Sequence, residues 1–336
     1  MVAFWPRHAD RFERGRKRYA SGSRVLEWRS AGVPARAWQP TRDRPSTPAM
    51  ELRDLARHIP LERFRNPPPV VAVLRLNGAI GMRGRRGLSL ANKAGVIERA
   101  FGLRRLAAVA LSVNSPGGSP VQSALLYRRI RQLADEKNLP VFAFAEDVAA
   151  SGGYWLALAA DEIYAEETSI LGSIGVVSAG FGFTELLRRL GIDRRLYTAG
   201  ERKSLLDPFL AEDPRDVERL TAIQRDIHLS FKEHVKSRRG ARLKGSEEEL
   251  FNGDVFTGRA ALERGLIDGI GDLRGVMRAR FGDKVELRLV EDRRRRFPAL
   301  PLPWAARGGF GAVAGEAVGD LLATVEERLL WGRFGL

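Results

Sequence analysis

The 336-residue sequence predicts an α/β fold in which parallel strands are joined by crossover helices. Apolar, β-branched runs at 70–80, 106–113 and 140–146 have the length of buried strands, and segments with helical spacing separate them. The strands recur at intervals of roughly 30–40 residues, which is the spacing of right-handed βαβ units. An apolar content of 44% supplies enough side chains for a substantial core.

Further elements are assigned in chain order from the same two periodicities. Helices are predicted at 51–64, 90–102, 119–138, 183–191, 213–239 and 312–334, with a short helix after Ser151 and a helix ending in a Gly turn within 256–272. Short apolar runs bounded by turn residues predict strands at 162–166, 173–178, 192–198 and 285–291.

Composition divides the chain into three parts. Residues 1–66 form a basic extension rich in Arg, Pro and Ser, for which we expect disorder, and Met50 is an alternative start. Residues 67–291 contain every predicted strand and form the expected functional domain. The run DRRRRFP opens a tail, 292–336, whose helix packs on its own domain or on a partner subunit or membrane surface.

The charge and the rare residue types exclude several classes of site. The formal net charge is +15, and only eight of the 56 basic residues are Lys. No zinc finger, RNA-binding aromatic motif or Walker-type loop accompanies this charge, so we expect no specific nucleic-acid binding. Without Cys, disulfides and a Cys nucleophile are excluded, and no His pair has metal-ligand spacing. We therefore expect neither a metal nor an organic cofactor.

The hydropathy pattern bears on location. The sequence has no run of about 20 apolar residues, the length that a membrane-spanning helix needs. No continuous apolar segment follows the N-terminal charges, as it would in a secretory signal. We expect a cytoplasmic protein, with peripheral contact to the inner membrane as the alternative.

Ser151 is the first candidate for chemistry, because it follows a predicted strand within the small-residue stretch AASGG. One interpretation is a helix cap, since Ser is a favoured N-cap residue. The other is a nucleophile, because the unpaired N–H groups at a helix start can receive an oxyanion. The two glycines after Ser151 would leave room for a substrate backbone. The stretch alone leaves both interpretations open, and it does not match the G-x-S-x-G elbow.

A second Gly-rich turn, NSPGG, follows the strand at 106–113. It is either an ordinary Pro-Gly turn or a loop that offers the N–H of Gly117 or Gly118 to a carbonyl oxygen. Ligands bind at the carboxyl ends of the strands in α/β sheets, so this turn and Ser151 are expected to lie together.

A serine nucleophile also needs a base. The four His lie in the extension, before the core or on a charged helix, and Arg does not lose its proton. A Lys can serve if burial lowers its pKa. Lys203 differs from the other Lys, because GERKSLLDPF places it between a Gly turn and an apolar segment. An ordinary surface lysine is the alternative interpretation.

Four motifs in order, NSPGG, ASGGYWLA, LGSIGV and GERKSLLDPF, resemble those of the signal peptide peptidase A (SppA/SohB) family of Ser–Lys serine peptidases. The resemblance implies three catalytic residues: Ser151 as the nucleophile, Lys203 as the general base, and Ser173 as the residue that holds the Lys by a hydrogen bond. It also implies that the N–H groups of Gly118 and Gly152 are the oxyanion donors, with Gly117 as a further candidate.

The resemblance also implies the Clp-protease/crotonase-like superfold. The activity that it implies is a serine endopeptidase, which hydrolyses signal-peptide remnants or other hydrophobic or unfolded peptides through an acyl-enzyme. The chain has one repeat, and single-repeat members of the family share active sites between protomers, so a homo-oligomer is expected. Two alternatives stay open, a crotonase-like acyl-CoA enzyme and a non-catalytic scaffold of the same fold.

Overall fold

The computed structural model describes residues 67–81, 87–200, 202–291 and 328–335. The extension 1–66, with its expected disorder, its predicted helix at 51–64 and the alternative start at Met50, lies outside the described residues. In the tail, residues 328–332 are helical, and residues 292–327 lie outside the description. The division of the chain after residues 66 and 291 stays a prediction.

A mostly parallel sheet forms the centre of the described residues. Its strands are β1 (Val70–Asn77), β2 (Leu106–Ser115), β3 (Val141–Ala150), β4 (Glu162–Ala165), β5 (Ile170–Gly172), β6 (Val255–Thr257), β7 (Gly269–Ile270) and β8 (Glu286–Leu289). They run in the order β6-β5-β3-β2-β1-β8, and β4 pairs with β3 and β7. The pairing of β5 with β6 is antiparallel, and the other described pairings are parallel. The predicted α/β class with a Clp-protease/crotonase-like arrangement is confirmed.

Helices connect the strands and cover both faces of the sheet. They are α1 (Leu90–Phe101), α2 (Pro120–Lys137), α3 (Gly152–Ala157), α4 (Thr184–Arg189), α5 (Pro214–Arg239), α6 (Glu247–Leu250), α7 (Gly258–Glu263) and α8 (Leu273–Phe281). No helix within the described ranges is long and apolar enough to span a membrane.

The strand sequences read as continuous apolar runs because the central strands are buried on both faces. In β1, Leu74 and Leu76 contribute to the large core cluster that includes residues of α1, α2 and α3. Val71 and Val73, which alternate with them, pack in a second cluster with Met277 of α8. Since successive side chains of a strand point to opposite faces, each face of β1 belongs to a different core.

Strand β3 pairs with two different strands along its length. Residues 142–145 pair with β4, and residues 148–150 pair with β5. The exposed Glu146 and Asp147 lie where the two partners diverge. Because the last residues of β3 pair with β5, the carboxyl end of β3, and therefore Ser151, lies next to the carboxyl end of β5.

Two predicted strands are wrong. The segment 173–178 is not a strand, because β5 ends at Gly172 and Ser173 takes a positive φ of 51° that leaves the extended conformation. The segment 192–198 has no regular structure, and all of its residues are exposed. An alternating apolar pattern forms a strand only where a neighbouring strand can pair with it, and none of the described strands does so here.

Sequence analysis also missed elements. Helix α8 escaped prediction because its sequence, LRGVMRARF, alternates Arg with apolar residues, and only Met277 in it is buried. The strands β6 and β7 have three and two residues, which is too short for a periodicity to be recognised. The other predicted helices and strands that lie within the described residues agree with the structure to within a few residues.

Candidate active site

Ser151 lies at the junction of β3 and α3, in a backbone conformation that few residues adopt. Its φ and ψ are 51° and −120°. Such a conformation costs a residue with a side chain about 1–3 kcal/mol, and it persists only where the surroundings fix it. Two hydrogen bonds do so: the Ser151 N–H donates to Gly172 O at 2.8 Å, and the Trp155 N–H donates to Ser151 O at 3.0 Å.

The Ser151 hydroxyl makes no capping hydrogen bond, although the residue occupies the N-cap position of α3. The interpretation of this serine as a helix cap is therefore wrong. Its side chain is partly exposed, whereas Ala149, Ala150 and Gly152 around it are buried. A strained backbone thus presents an uncommitted hydroxyl at the surface of a closely packed turn.

The NSPGG turn packs directly against Ser151. A Cβ atom built on Gly117 would lie 2.8 Å from the Cβ of Ser151 and 3.0 Å from the backbone nitrogen of Gly152. A Cβ built on Gly152 would lie 3.4 Å from the backbone nitrogen of Gly118. The Gly117 approaches are too close for a larger residue, as is the 2.5 Å approach of a Gly152 Cβ to Ser123 Oγ, so the glycines allow the two turns to meet.

Two backbone N–H groups are available at this junction. Among the described residues, neither the Gly118 N–H nor the Gly152 N–H has a hydrogen-bond acceptor. Gly152 is the first residue of α3, where the N–H groups have no partner within the helix. The Gly117 N–H differs, because it donates to the Ser115 hydroxyl at 3.2 Å. Gly118 and Gly152 can therefore receive an oxyanion, and Gly117 is already engaged.

Polar residues that the sequence analysis did not select hold the NSPGG turn. The Ser115 hydroxyl donates to Gly78 O at 2.8 Å while it accepts from Gly117. The Asn114 amide oxygen accepts from the Val148 N–H at 3.2 Å, and its amide nitrogen donates to Asp147 at 2.7 Å. Asn114 therefore joins β2 to β3 close to the end of β3, where Ser151 follows. Their signal in the sequence is weak, because Ser and Asn are common in any turn.

Ser173 lies beside Ser151 at the end of the neighbouring strand. Ala150 of β3 is in register with Gly172 of β5, so the two serines take the next register position. The hydrogen bond from the Ser151 N–H to Gly172 O joins the two turns directly. The Ser173 N–H donates to Asp254 O at 2.6 Å, and the residue is partly buried.

Lys203 lies on the exposed segment between β5 and α5. Its backbone N–H donates to Gly200 O at 3.2 Å, and its side chain is exposed. No described hydrogen bond joins the ammonium to Ser151 or Ser173. The expectation that Lys203 is buried is thus corrected for the single chain.

The described residues of this segment, 177–200 and 202–212, are called the arm below. It carries an unusual number of exposed apolar side chains: Val177, Phe181, Phe183, Leu186, Leu190, Ile192, Leu196, Tyr197, Phe209 and Leu210. Its two halves are joined by the Phe183 N–H, which donates to Pro208 O at 2.6 Å, and by the 2.7 Å ion pair of Arg194 with Asp207. A hydrogen bond and an ion pair thus connect the two halves of the arm, and its apolar side chains are exposed.

No histidine in the described part of the chain is placed to serve Ser151. His234 of α5 stacks on Trp155 at 4.9 Å, and burial and the charge of Arg238 lower its pKa to about 4. The Nε2 atom of His228 lies 3.0 Å from Ile174 O. Tyr154 is buried and donates to Leu266 O at 2.6 Å, and burial raises the pKa of its phenol. None of these groups is a base for the Ser151 hydroxyl.

A metal site is also not found within the described residues, where no group of three or more His, Asp or Glu side chains is placed to hold an ion.

Comparisons with known proteins agree with this geometry. Residues 133–284 match the model of peptidase family S49. The chain is 34% identical to the chloroplastic serine protease SPPA of Arabidopsis thaliana, over 60% of this chain and 31% of that protein. It is 29% identical to the putative protease slr0021 of Synechocystis, over 79% of this chain and 92% of that protein.

Two further similarities are to a protein with an unrelated name and to a solved structure. The chain is 49% identical to a Brucella abortus protein named Na(+)/H(+) antiporter NhaA, over 84% of this chain but 39% of that protein, so the name describes a much longer molecule. A solved structure of the 1510-N membrane-bound stomatin-specific protease aligns with 67% of this chain and 99% of its own, at 16% identity and a TM-score of 0.42.

Several of the relatives are named as SppA or SohB proteases. The chain spans less than two thirds of the length of these relatives. On this evidence the central part of the chain is similar to the SppA/SohB family of serine peptidases.

Proposed function

We propose that the chain is a serine endopeptidase in which Ser151 is the nucleophile and Lys203 is the general base. The observation that carries this proposal is the uncapped hydroxyl of a strained Ser151 beside two free N–H groups, those of Gly118 and Gly152. Strained backbone tends to occur at functional sites, and paired N–H groups stabilise the oxyanion of acyl transfer. The serine proteases among the relatives lend further support.

The proposed reaction has two acyl-transfer steps. Neutral Lys203 takes the Ser151 proton as the hydroxyl oxygen attacks a peptide carbonyl, and Gly118 and Gly152 donate to the oxyanion. The tetrahedral intermediate then breaks its C–N bond, and the proton held by Lys203 passes to the leaving amine. In the second step Lys203 takes a proton from water, the resulting attack forms a second oxyanion, and the proton returns to Ser151 as the acid leaves.

We propose that Lys203 reaches Ser151 in a homo-oligomer, where it comes from a neighbouring copy. The arm supports this, because it carries Lys203 and exposes apolar side chains such as Phe181, 77% exposed, and Tyr197, 90% exposed. A contiguous exposed apolar surface is typical of an interaction site. Burial of the arm against a second copy would also remove Lys203 from water, which a neutral lysine requires.

The substrates that we propose are extended hydrophobic or unfolded peptides, signal-peptide remnants among them. Small buried residues, Ala149 and Ala150, surround Ser151, and the side chain of Ile80 approaches the Gly152 position. These surfaces would favour small or apolar side chains near the scissile bond. The cytoplasmic location expected from the sequence stays a prediction.

A fluorophosphonate probe tests the nucleophile and its base. We expect the adduct to map to Ser151 and labelling to disappear in Ser151→Ala and in Lys203→Ala. Ser230→Ala, an exposed serine of α5, is the matched control and should label as the wild type does. Peptide cleavage by Ser151→Ala at the wild-type rate would reject the proposal. A crotonase-like enzyme would instead process an acyl-CoA without Lys203, and a scaffold would do neither.

A further inference from the structure

The long helix α5 contacts the turn that carries Ser173 through His228, a residue that the proposed mechanism does not use. The Nε2 atom of His228 lies 3.0 Å from the carbonyl oxygen of Ile174. A carbonyl oxygen can only accept, so Nε2 carries the proton of this hydrogen bond. The two residues are 54 positions apart, and the bond therefore ties α5 to the end of β5.

The turn at Ser173 needs such support. A positive φ of 51° is unfavourable for a residue with a side chain. Three features hold Ser173 in this conformation. The Ser173 N–H donates to Asp254 O, the Gly175 N–H donates to Ser173 O at 2.9 Å, and the neighbouring Ile174 is fully buried. The His228 bond to Ile174 adds a side-chain contact from another element at the centre of this turn.

Helix α5 packs against the core close to His228. Phe231, one turn further along, is 3% exposed and stacks on Trp155 with ring centroids 4.8 Å apart. Trp155 belongs to α3, whose first turn binds Ser151 O. One helix thus supports both the Ser151 junction, through Phe231, and the Ser173 turn, through His228.

We propose that His228 is a positioning residue that acts through Ile174 to hold the Ser173 hydroxyl where it accepts a hydrogen bond from Lys203. The inference rests on the proposed Ser–Lys mechanism. Without the His228 bond the Ser173 turn relaxes, and the base loses its alignment with Ser151. His228 itself has its hydrogen bond to Ile174 and none to Gly118 or Gly152 among the described residues.

Two substitutions at His228 distinguish the loss of its hydrogen bond from the loss of its side-chain volume. His228→Ala removes the donor, whereas His228→Gln keeps a side-chain N–H that can reach Ile174 O. We expect His228→Ala to lower kcat about tenfold with KM within about twofold, since a small misplacement of a reacting group has effects of this size. His228→Gln should recover kcat to within about threefold. Ser230→Ala, on the same helix and exposed, should match the wild type.

The pH profile supplies a readout that a general loss of folded protein would not move. A Lys203 ammonium that donates to fewer oxygens loses its proton more easily. The acidic limb of kcat should therefore shift to lower pH in His228→Ala and return in His228→Gln. A uniform fall in rate at every pH, or equal losses in both variants at unchanged melting temperatures, would overturn the proposal.

Amide hydrogen exchange tests the same bond without any assay of activity. We expect faster exchange at the Ser173 and Gly175 amides in His228→Ala than in the wild type or in His228→Gln. Unchanged exchange at these amides would also overturn the proposal. If the fluorophosphonate probe does not label Ser151 in the wild type, the peptidase mechanism fails, and the exchange result still decides whether His228 holds the turn.

Discussion

Replacing Gly118 by Ala tests the oxyanion site at its tightest point. A Cβ atom at this position would lie 2.1 Å from Ile80 O, and Gly118 has a φ of 136° that side chains rarely adopt. The clash is with backbone, which cannot rotate away as a side chain could. The turn must therefore shift by about 1 Å to restore an ordinary contact, and the Gly118 N–H shifts with it.

The expected loss follows from this displacement. Removal of a single oxyanion donor costs about 10²- to 10³-fold in kcat, or about 2.7–4 kcal/mol of transition-state stabilisation. A displacement of 1 Å has effects of about 10²-fold. We therefore expect kcat to fall by about 10²-fold, with KM little changed, because the ground-state carbonyl depends less on this donor. Overpacking should lower the free energy of unfolding by about 1–3 kcal/mol.

The assay is steady-state cleavage of a fluorogenic peptide, with thermal melting of the same samples. Gly95→Ala is the matched control, because this glycine is exposed within α1 and a Cβ there meets only Arg99 Nη1, at 3.4 Å. It should keep full activity and gain stability, since Ala is the better helix former. A folded Gly118→Ala variant with wild-type kcat would refute the assignment of Gly118 as an oxyanion donor.

Three further outcomes are expected. Lys203→Arg should be as inactive as Lys203→Ala, because a guanidinium does not give up its proton; activity in the Arg variant would exclude Lys203 as the base. Phe181→Asp should reduce the oligomer and the activity while the melting temperature of the monomer is kept, since Phe181 is 77% exposed, and light scattering checks this. The folded chain keeps His234 neutral down to about pH 4, whereas the unfolded chain protonates it near pH 6.5. Stability is therefore lost as the pH falls through this window, by roughly 3 kcal/mol. Melting curves of His234→Phe should show a smaller loss of stability at low pH than those of the wild type. The same pH dependence in both proteins would contradict this role of His234.

The central part of the fold could be predicted because its strands are buried on both faces. Apolar runs such as VVAVLRLN of β1 are typical of strands that are covered on both faces, and Ser119 and Pro120 mark the start of α2. The glycines of NSPGG and ASGG were informative for the same reason, since two tightly packed turns tolerate no larger residue.

The structure of the arm could not be predicted from the sequence. Ile192 and Leu196 suggested a strand, yet both are exposed and have no partner strand among the described residues. A periodicity cannot distinguish apolar residues of a core from apolar residues that stay exposed. For the same reason, the sequence left open whether Lys203 is a buried base or an ordinary surface lysine.

His228 and Asn114 were missed for a different reason. Each acts through one long-range hydrogen bond to a backbone group, His228 to Ile174 and Asn114 to Val148. Such bonds leave no local pattern, because the partner is a main-chain atom that every residue type supplies. The signal was the type of residue alone, a histidine on a charged helix and an asparagine at a strand end.

Mixing two inactive variants tests the central claim most directly, namely that Ser151 of one copy works with Lys203 of another. Ser151→Ala and Lys203→Ala are co-incubated under conditions of subunit exchange, and native mass spectrometry verifies the exchange. Random assembly pairs an intact Ser151 with an intact Lys203 at about one site in four, so we predict about a quarter of the wild-type activity. A fully exchanged mixture that stays as inactive as its two parents would contradict the shared site.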